Sequence, residues 1–198
     1  MKILICLFFL SLISSSCLRT TYKKGVRVPE NGFGKFFPTQ DTVLIDETNL
    51  LDFSALYVSD SMIEVGKYYK RQHYFRFFPN GKVAFWMTDI NNEPIKGLKD
   101  FKSKDGDITS ISNCFAGKYV IENGVIHIET CIPAGDGIYF LRYDNGKITN
   151  DGFELTERRD TALISFFRQS KEKISQSFIK IRVGKMKVDK KLWFTSQD

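Results

Sequence analysis

Two histidines, His73 and His127, and four cysteines, Cys6, Cys17, Cys114 and Cys131, are the side chains in this 198-residue chain best suited to nucleophilic, acid–base or metal chemistry. A zinc site needs three or four Cys, His or carboxylate ligands held together, and no set at ligand spacing is evident around either histidine. The chain has no GxSxG elbow, no phosphate-cradling GxxxxGK[ST] and no HExxH, each of which would place a nucleophile, a backbone cradle or a metal on a defined turn or helix. Asp41, Asp46 and Glu47 lie close in sequence, but such a group reads as a solvated loop. Paired carboxylates for glycosidic chemistry stay open, because spacing does not say which Asp and Glu meet in space. The expectation is a protein that is not an enzyme and uses no cofactor and no metal.

The cysteine with the clearest chemical assignment is Cys17. Lys2 precedes an apolar run, Ile3 to Ile13, broken only by Ser11, and Ser14, Ser15 and Ser16 then lead to Cys17. A basic start, an apolar segment and small residues at a cleavage point make an export signal. The run is well short of the ~20 apolar residues that span a bilayer. A Cys directly after the small residues resembles the site at which bacterial lipoproteins are cut and lipidated. Ser14 stands where their usual box has Leu, and Ile13 is the nearest aliphatic residue, a loose form similar to that of Bacteroidetes-type envelope lipoproteins. The resemblance implies that residues 1–16 are a signal peptide, removed with Cys6, and that Cys17 carries a lipid anchor. The bilayer is then a partner, and the location is the cell envelope, at the outer membrane or in the periplasm. Plain secretion is the alternative, since Ser14 and Ser16 also suit an ordinary signal peptidase.

Residues 17–35 read as the lipidated N-terminus and a flexible tether. Arg19, Lys23, Lys24, Arg27 and Lys35 sit among Thr, Gly, Pro and Asn, with little apolar surface to bury. Residues 36–198 are enough for one domain with a real core. Eighteen Phe and eight Tyr favour strands. The formal charge is +6, and much of the excess is at the C-terminal end, where Lys171, Lys173, Lys180, Arg182, Lys185, Lys187, Lys190 and Lys191 face only Glu172, Asp189 and Asp198. A basic tail can bind nucleic acid, but an exported chain seldom meets it, so no nucleic-acid partner is expected. An anionic membrane or envelope polymer is the more natural counterpart, and a solvated face more natural still.

Turn signals carry the structural reading. Asn80-Gly81, Asn123-Gly124 and Asn145-Gly146 each sit between apolar runs, and Asn-Gly suits a two-residue hairpin turn. A two-residue turn at Asn80-Gly81 sets Phe78 opposite Val83, Phe77 opposite Ala84, Arg76 opposite Phe85 and Phe75 opposite Trp86. Phe75, Phe77, Ala84 and Trp86 then share one wholly apolar face. The turn at Asn123-Gly124 sets Ile121 opposite Ile126, Tyr119 opposite Ile128, Val120 opposite His127 and Lys118 opposite Glu129. In that register Cys131 faces Ala116, and Cys114 is its diagonal neighbour, about 7–8 Å away. That exceeds the usual reach of a disulfide, so a Cys114–Cys131 bridge needs a bulge, and two buried thiols are the alternative. Tyr139–Tyr143 and Lys147–Thr149 would flank the turn at Asn145-Gly146, with Phe153–Thr156 as a further strand. Thr42–Ile45 is a short strand candidate, and Asn49–Tyr57 suits one or two helical turns. Leu163, Phe166, Phe167, Ile174 and Phe178 fall near one helical face, which predicts a helix over Thr161–Gln176 and a strand from Phe178. Trp193 and Phe194 suggest a chain end tied to the body.

The segments YFRFFPNGKVAFW (Tyr74–Trp86), GKYVIENGVIHIE (Gly117–Glu129) and GKITNDGFEL (Gly146–Leu155) resemble the lipocalin-like domains of small exported bacterial proteins. The resemblance implies an all-β antiparallel meander or barrel with one or two short helices, and a small apolar ligand inside. The aromatic residues Phe75, Phe77, Trp86 and Tyr119 are the candidate pocket lining, or else they fill a dry core. The alternative is an envelope protein-interaction or inhibitor module, with aromatics such as Phe85 or Tyr143 exposed to a protein partner.

Overall fold

The computed structural model describes residues 18–23, 26–33, 50–60, 63–65, 69–89, 114–135, 138–160 and 171–182. Strands β1 (Thr20–Lys23) and β2 (Val26–Pro29) form a hairpin of their own. The remaining strands are β3 (Ala55–Ser59), β4 (Ile63–Val65), β5 (Tyr69–Phe77), β6 (Lys82–Asp89), β7 (Phe115–Glu122), β8 (Val125–Gly135), β9 (Ile138–Thr149), β10 (Gly152–Asp160) and β11 (Lys171–Arg182). Strands β5 to β11 pair antiparallel in chain order, β3 pairs with β11, and β3 also pairs with β5. Eight strands therefore close into an antiparallel barrel, with β4 a spur on β5. Closure is what a sheet with one apolar face requires, because it buries that face and leaves no open edge.

The two ends of the barrel differ. At one end the strands are joined by short turns, around Asn80-Gly81, Asn123-Gly124 and Asn150-Asp151. Asn123 and Gly124 both have positive φ, 53° and 74°, as a primed hairpin turn demands, and the β7–β8 register is the one expected from it. At the other end residues 90–114 join β6 to β7 and residues 161–170 join β10 to β11. The first end is named the floor and the second the mouth, as labels for the two ends of the strands.

The hairpin at Asn80-Gly81 differs from expectation by one residue. The Phe78 N–H donates to the Lys82 carbonyl at 2.9 Å, the Gly81 N–H donates to the Phe78 carbonyl at 3.2 Å, and Gly81 alone in this turn has positive φ, 75°. The loop is thus Pro79-Asn80-Gly81, a type I turn closed by a glycine in the left-handed region, rather than a two-residue turn. Phe75 consequently faces Phe85, and Phe77 faces Val83. A one-residue slip exchanges the faces of one strand against the other. Phe85 joins Phe75 and Phe77 inside, while Ala84 and Trp86 go to the outer wall.

Asn145-Gly146 is not a turn but lies within β9, and the reversal comes later, between Thr149 and Gly152. Gly146 is needed there for another reason. It sits opposite Leu155, beside a register shift between Leu155 and Glu157, and a Cβ at Gly146 would run into the Glu154 carbonyl. The helix expected over Thr161–Gln176 is also corrected: Lys171–Gln176 belongs to β11. Ile174 and Phe178 are four residues apart, a spacing that fits one face of a helix and equally one face of a strand, and the free edge of β10 selects the strand. Ala55–Tyr57 is strand rather than helical turn. Thr42–Ile45, Asn49, Thr161–Ser170, Trp193 and Phe194 lie outside the described residues.

Part of the expected tether is structured as well. Val26 and Val28 alternate with Arg27, and both are buried against Phe78, Ala84, Cys114 and Ala116 on the outer wall. Leu18 and Phe33 pack on a second outer cluster, Cys131, Leu141 and Tyr143. The Arg27 guanidinium lies 5.3 Å from the centroid of the Tyr139 ring, a cation–π contact. The outer wall is apolar enough to need this cover, and the hairpin supplies it. Gly146→Val should lower stability by about 2 kcal/mol, read as a shift of the urea unfolding midpoint, whereas Lys147→Ala, at an exposed neighbouring position, should stay within about 0.5 kcal/mol.

Candidate functional site

Alternation along each strand sorts side chains to the barrel interior, and that interior divides into two layers. Nearest the floor, Tyr57, Phe75, Phe77, Tyr119, Phe153 and Phe178 interlock, with ring centroids 4.7–6.0 Å apart in edge-on, tilted and stacked pairs. The Tyr119 hydroxyl donates to the Phe78 carbonyl at 2.7 Å, which ties the layer to the β5–β6 turn. The Tyr57 hydroxyl accepts from the Asp52 N–H at 2.7 Å, beside Leu51 and Phe53, which pack against the same cluster. Three of the four expected pocket residues, Phe75, Phe77 and Tyr119, are therefore together but fill the core with one another. Trp86 is not among them; it packs on the outer wall beneath the N-terminal hairpin. Phe85 is buried inside, and Tyr143 is buried on the outer wall, so neither is an exposed contact residue.

Toward the mouth the interior turns polar. Arg142 and Asp144 on β9 point inward between Phe140 and Ile148, which pack on the interior cluster. Their partners across β10 are Asp160 and Arg158. Arg142 donates through Nε and Nη2 to both oxygens of Asp160, at 2.8 and 2.9 Å. Arg158 donates through Nε to Asp144 at 2.7 Å, with Nη2 at 3.4 Å from the second oxygen. Asp144 is 1% exposed, against 14% and 15% for the two arginine side chains. Burial pushes the Asp144 carboxyl upward, and Arg158 and Arg142 offset part of that rise. Burial alone would lower Arg142, but its hydrogen bonds to Asp160 and the nearby carboxylates of Asp144 and Glu172 hold it above the usual value.

Three further buried polar side chains face the interior from other strands. His73 on β5 stands above Phe85, ring centroids 5.2 Å apart. Thr130 on β8 faces Arg142, and Gln176 on β11 faces Leu155. All three are buried, and His73 Nδ1, Thr130 Oγ1 and Gln176 Nε2 have no hydrogen-bond partner among the described residues. A buried donor or acceptor left unmade costs about 1–3 kcal/mol, and native interiors hold few of them. Three on inward-facing strand positions leave the barrel interior with hydrogen-bonding capacity unused. Arg76 has two such atoms, Nε and Nη1, but it lies on the outer wall with its guanidinium over Phe78.

Nothing in the sequence pattern points to this layer. Taken singly, His73, Arg142, Asp144, Arg158 and Asp160 look like ordinary polar strand residues. The available signal was their spacing: charges two apart on neighbouring strands cannot all face water when the alternate residues, Leu141 and Tyr143, are also apolar. His127 is on the outer face, as the hairpin register implies, with its Nδ1 donating to Asn145 Oδ1 at 2.8 Å. Cys114 and Cys131 are free buried thiols in separate outer clusters. The bridge is not formed because the pair is diagonal rather than directly opposed. Burial raises both thiols, Cys131 to about 12. No three His, Cys, Asp or Glu among the described residues are grouped to hold a metal ion. No protein-family model matches the chain, and comparison with curated proteins and with solved structures returns no match.

His73 gives the layer a pH signature. Burial, and then the positive charges of Arg158, Arg142 and Arg71, lower it from 6.5 to about 3. Between those values the unfolded chain carries a proton that the folded chain refuses, so stability falls as pH falls, by about 1.4 kcal/mol per pH unit for this one group. Urea unfolding between pH 6.5 and 4 should show the slope, and His73→Gln should flatten it by that amount. The ion pair makes a second prediction. Arg158→Met alone strands a buried carboxylate and should cost about 3–5 kcal/mol, whereas Arg158→Met with Asp144→Leu should recover most of the loss, read in a double-mutant unfolding cycle.

Proposed function

We propose that this chain is an envelope lipoprotein, anchored through Cys17, whose barrel binds a small molecule in the polar layer beneath its mouth. The observation that carries the reading is the set of three buried, unpartnered polar atoms, on His73, Thr130 and Gln176, at inward-facing strand positions. Binding sites of this kind combine apolar walls with a few convergent polar groups, and the layer has both. The aromatic residues first considered as pocket lining form the floor beneath the ligand instead. Filling of that floor argues against a deep apolar cavity, so the ligand is held by its polar end.

An interaction module is the second reading, and the net charge of +6 is its support. The binder reading is preferred because an interaction surface gives no reason for orphaned groups inside the barrel. Native mass spectrometry of the mature protein, purified gently from its host, tests it. A bound small molecule that leaves on denaturation is expected, and Thr130→Val with Gln176→Leu should abolish the bound species while leaving the thermal unfolding temperature unchanged or higher. A clean apo mass from the unaltered protein would sink the reading.

A further inference from the structure

Strand β3 seals the edge of β11 over part of its length only. It pairs with β11 from Phe178 to Arg182, and the last bond between them runs from the Asp60 N–H to the Ser177 carbonyl, at 3.0 Å. Beyond Asp60 the chain goes over to β5 as the spur β4, where Ile63 lies opposite Arg71. The rest of β11, Lys171 to Gln176, pairs with β10 alone among the described residues. Its side chains agree, since Glu172, Lys173 and Ser175 are exposed. The Ser177 carbonyl faces away from β10, and alternation along a strand turns the main-chain groups of Ser175 and Lys173 the same way. A row of main-chain donors and acceptors on a free edge is a template for one more strand.

The residues of this edge are complementary to a copy of themselves. Two β11 strands related by a two-fold axis run antiparallel, and directly opposed residues share a face, so one residue stands opposite its own copy. Centring the pair on Glu172 or on Lys173 sets like charges directly opposite, which destabilises strand pairing. Centring it on Ser175 brings in Ser177, whose carbonyl already accepts from Asp60. Centring it on Ile174 avoids all three difficulties. Ile174 then meets Ile174, Glu172 meets Gln176, and Lys173 meets Ser175, the last two twice over. Main-chain bonds are exchanged between Lys173 and Ser175, and the whole free edge is used. Lysine on an edge strand commonly guards it against pairing; Lys173 guards one register here and leaves the next open.

We propose that the free edge of β11, Glu172 to Gln176, joins a second copy of this chain, antiparallel about Ile174. The contact is a main-chain ladder on the outside of the closure and does not depend on the binding reading above. Five residues of one edge fall short of the ~1,000 Å² that a stable interface buries, and the formal charge of +6 on each chain opposes association. The pair therefore forms at high protein concentration and tightens with salt, which screens the repulsion.

Sedimentation equilibrium of the full-length chain in a density-matched detergent, from about 10 µM to about 500 µM, reads the association by mass action. A monomer–dimer equilibrium is expected. Amide exchange in residues 171–176 should slow as the dimer fills, with the turn at Asn123-Gly124 unchanged. Ser175→Lys sets two lysines opposite each other at both ends of the pairing and should weaken the dimer about ten-fold. It gives up the 3.0 Å bond from Ser175 Oγ to Glu154 but leaves a charge partner there. Lys173→Ser with Ser175→Lys interchanges the two side chains, sets Lys opposite Ser again, and should restore the affinity to within about three-fold. Both positions are exposed, so thermal unfolding should report that each variant is folded. A monomer across the whole range would overturn the second copy as occupant and leave the edge to a strand of another protein. A dimer that Ser175→Lys leaves unchanged, or that gives no protection in residues 171–176, would overturn the proposed edge. Neither result bears on a small molecule released in native mass spectrometry, so the binding reading fails or stands separately.

Discussion

One register, Phe75 opposite Phe85 across β5 and β6, decides which side chains the barrel encloses. With it, Phe75, Phe77, Val83 and Phe85 point inward, and the small Ala84 faces out beside Ala116. Small outer residues there leave a shallow apolar strip, and Val26 and Val28 fill it. Had the pairing slipped by one residue, Trp86 would occupy the interior and Phe85 would lie on the wall where the hairpin now packs. Gly81, through its left-handed conformation, is what holds the register in place.

From that register the interior becomes a stack with a gradient of polarity. The aromatic floor gains from burial and from edge-on ring contacts, each worth about 0.5–1.5 kcal/mol beyond area. It is also rigid, because close-packed rings leave few alternative rotamers. A rigid floor matters for the layer above, since charged pairs keep their geometry only when their supports do not move. The bulge in β10 between Leu155 and Glu157 falls at the boundary between the two layers. It shifts the ladder so that Arg158 and Asp160, rather than Glu157 and Arg159, come inward opposite Asp144 and Arg142.

The barrel was legible from the sequence because its turns and alternations are local. Asn123-Gly124 specified both turn and register, and the β7–β8 ladder follows from it residue by residue. Other features depend on what a local pattern meets in space. Asn145-Gly146 has the same dipeptide as a turn, yet its glycine is there for a close approach to Glu154, which no dipeptide rule contains. Ile174 and Phe178 satisfy two periods at once, and only the neighbouring strand chooses between them. Residues 20–29 looked too polar to fold, because the apolar surface they cover belongs to other strands. The polar layer was hidden for the same reason. Its members come from β5, β8, β9, β10 and β11, and each alone resembles an ordinary charged strand residue.

Stability gives no account of that layer. A buried ion pair seldom improves on apolar residues of similar volume, and replacing one has raised stability by about 1–4 kcal/mol in other proteins. Here two pairs sit directly above a floor that shows how well this barrel packs when it uses rings and aliphatic chains. Thr130, Gln176 and His73 add unmade hydrogen bonds to the same barrel interior, and His73 adds a pH-dependent penalty. That cluster is where the barrel departs most from the packing that its stability alone would favour. The N-terminal hairpin shows the opposite economy. Val26 and Val28 fill the apolar strip beside Ala84 and Ala116, and Leu18 rests on Cys131 and Leu141, so the outer wall is completed by apolar packing where the interior is not.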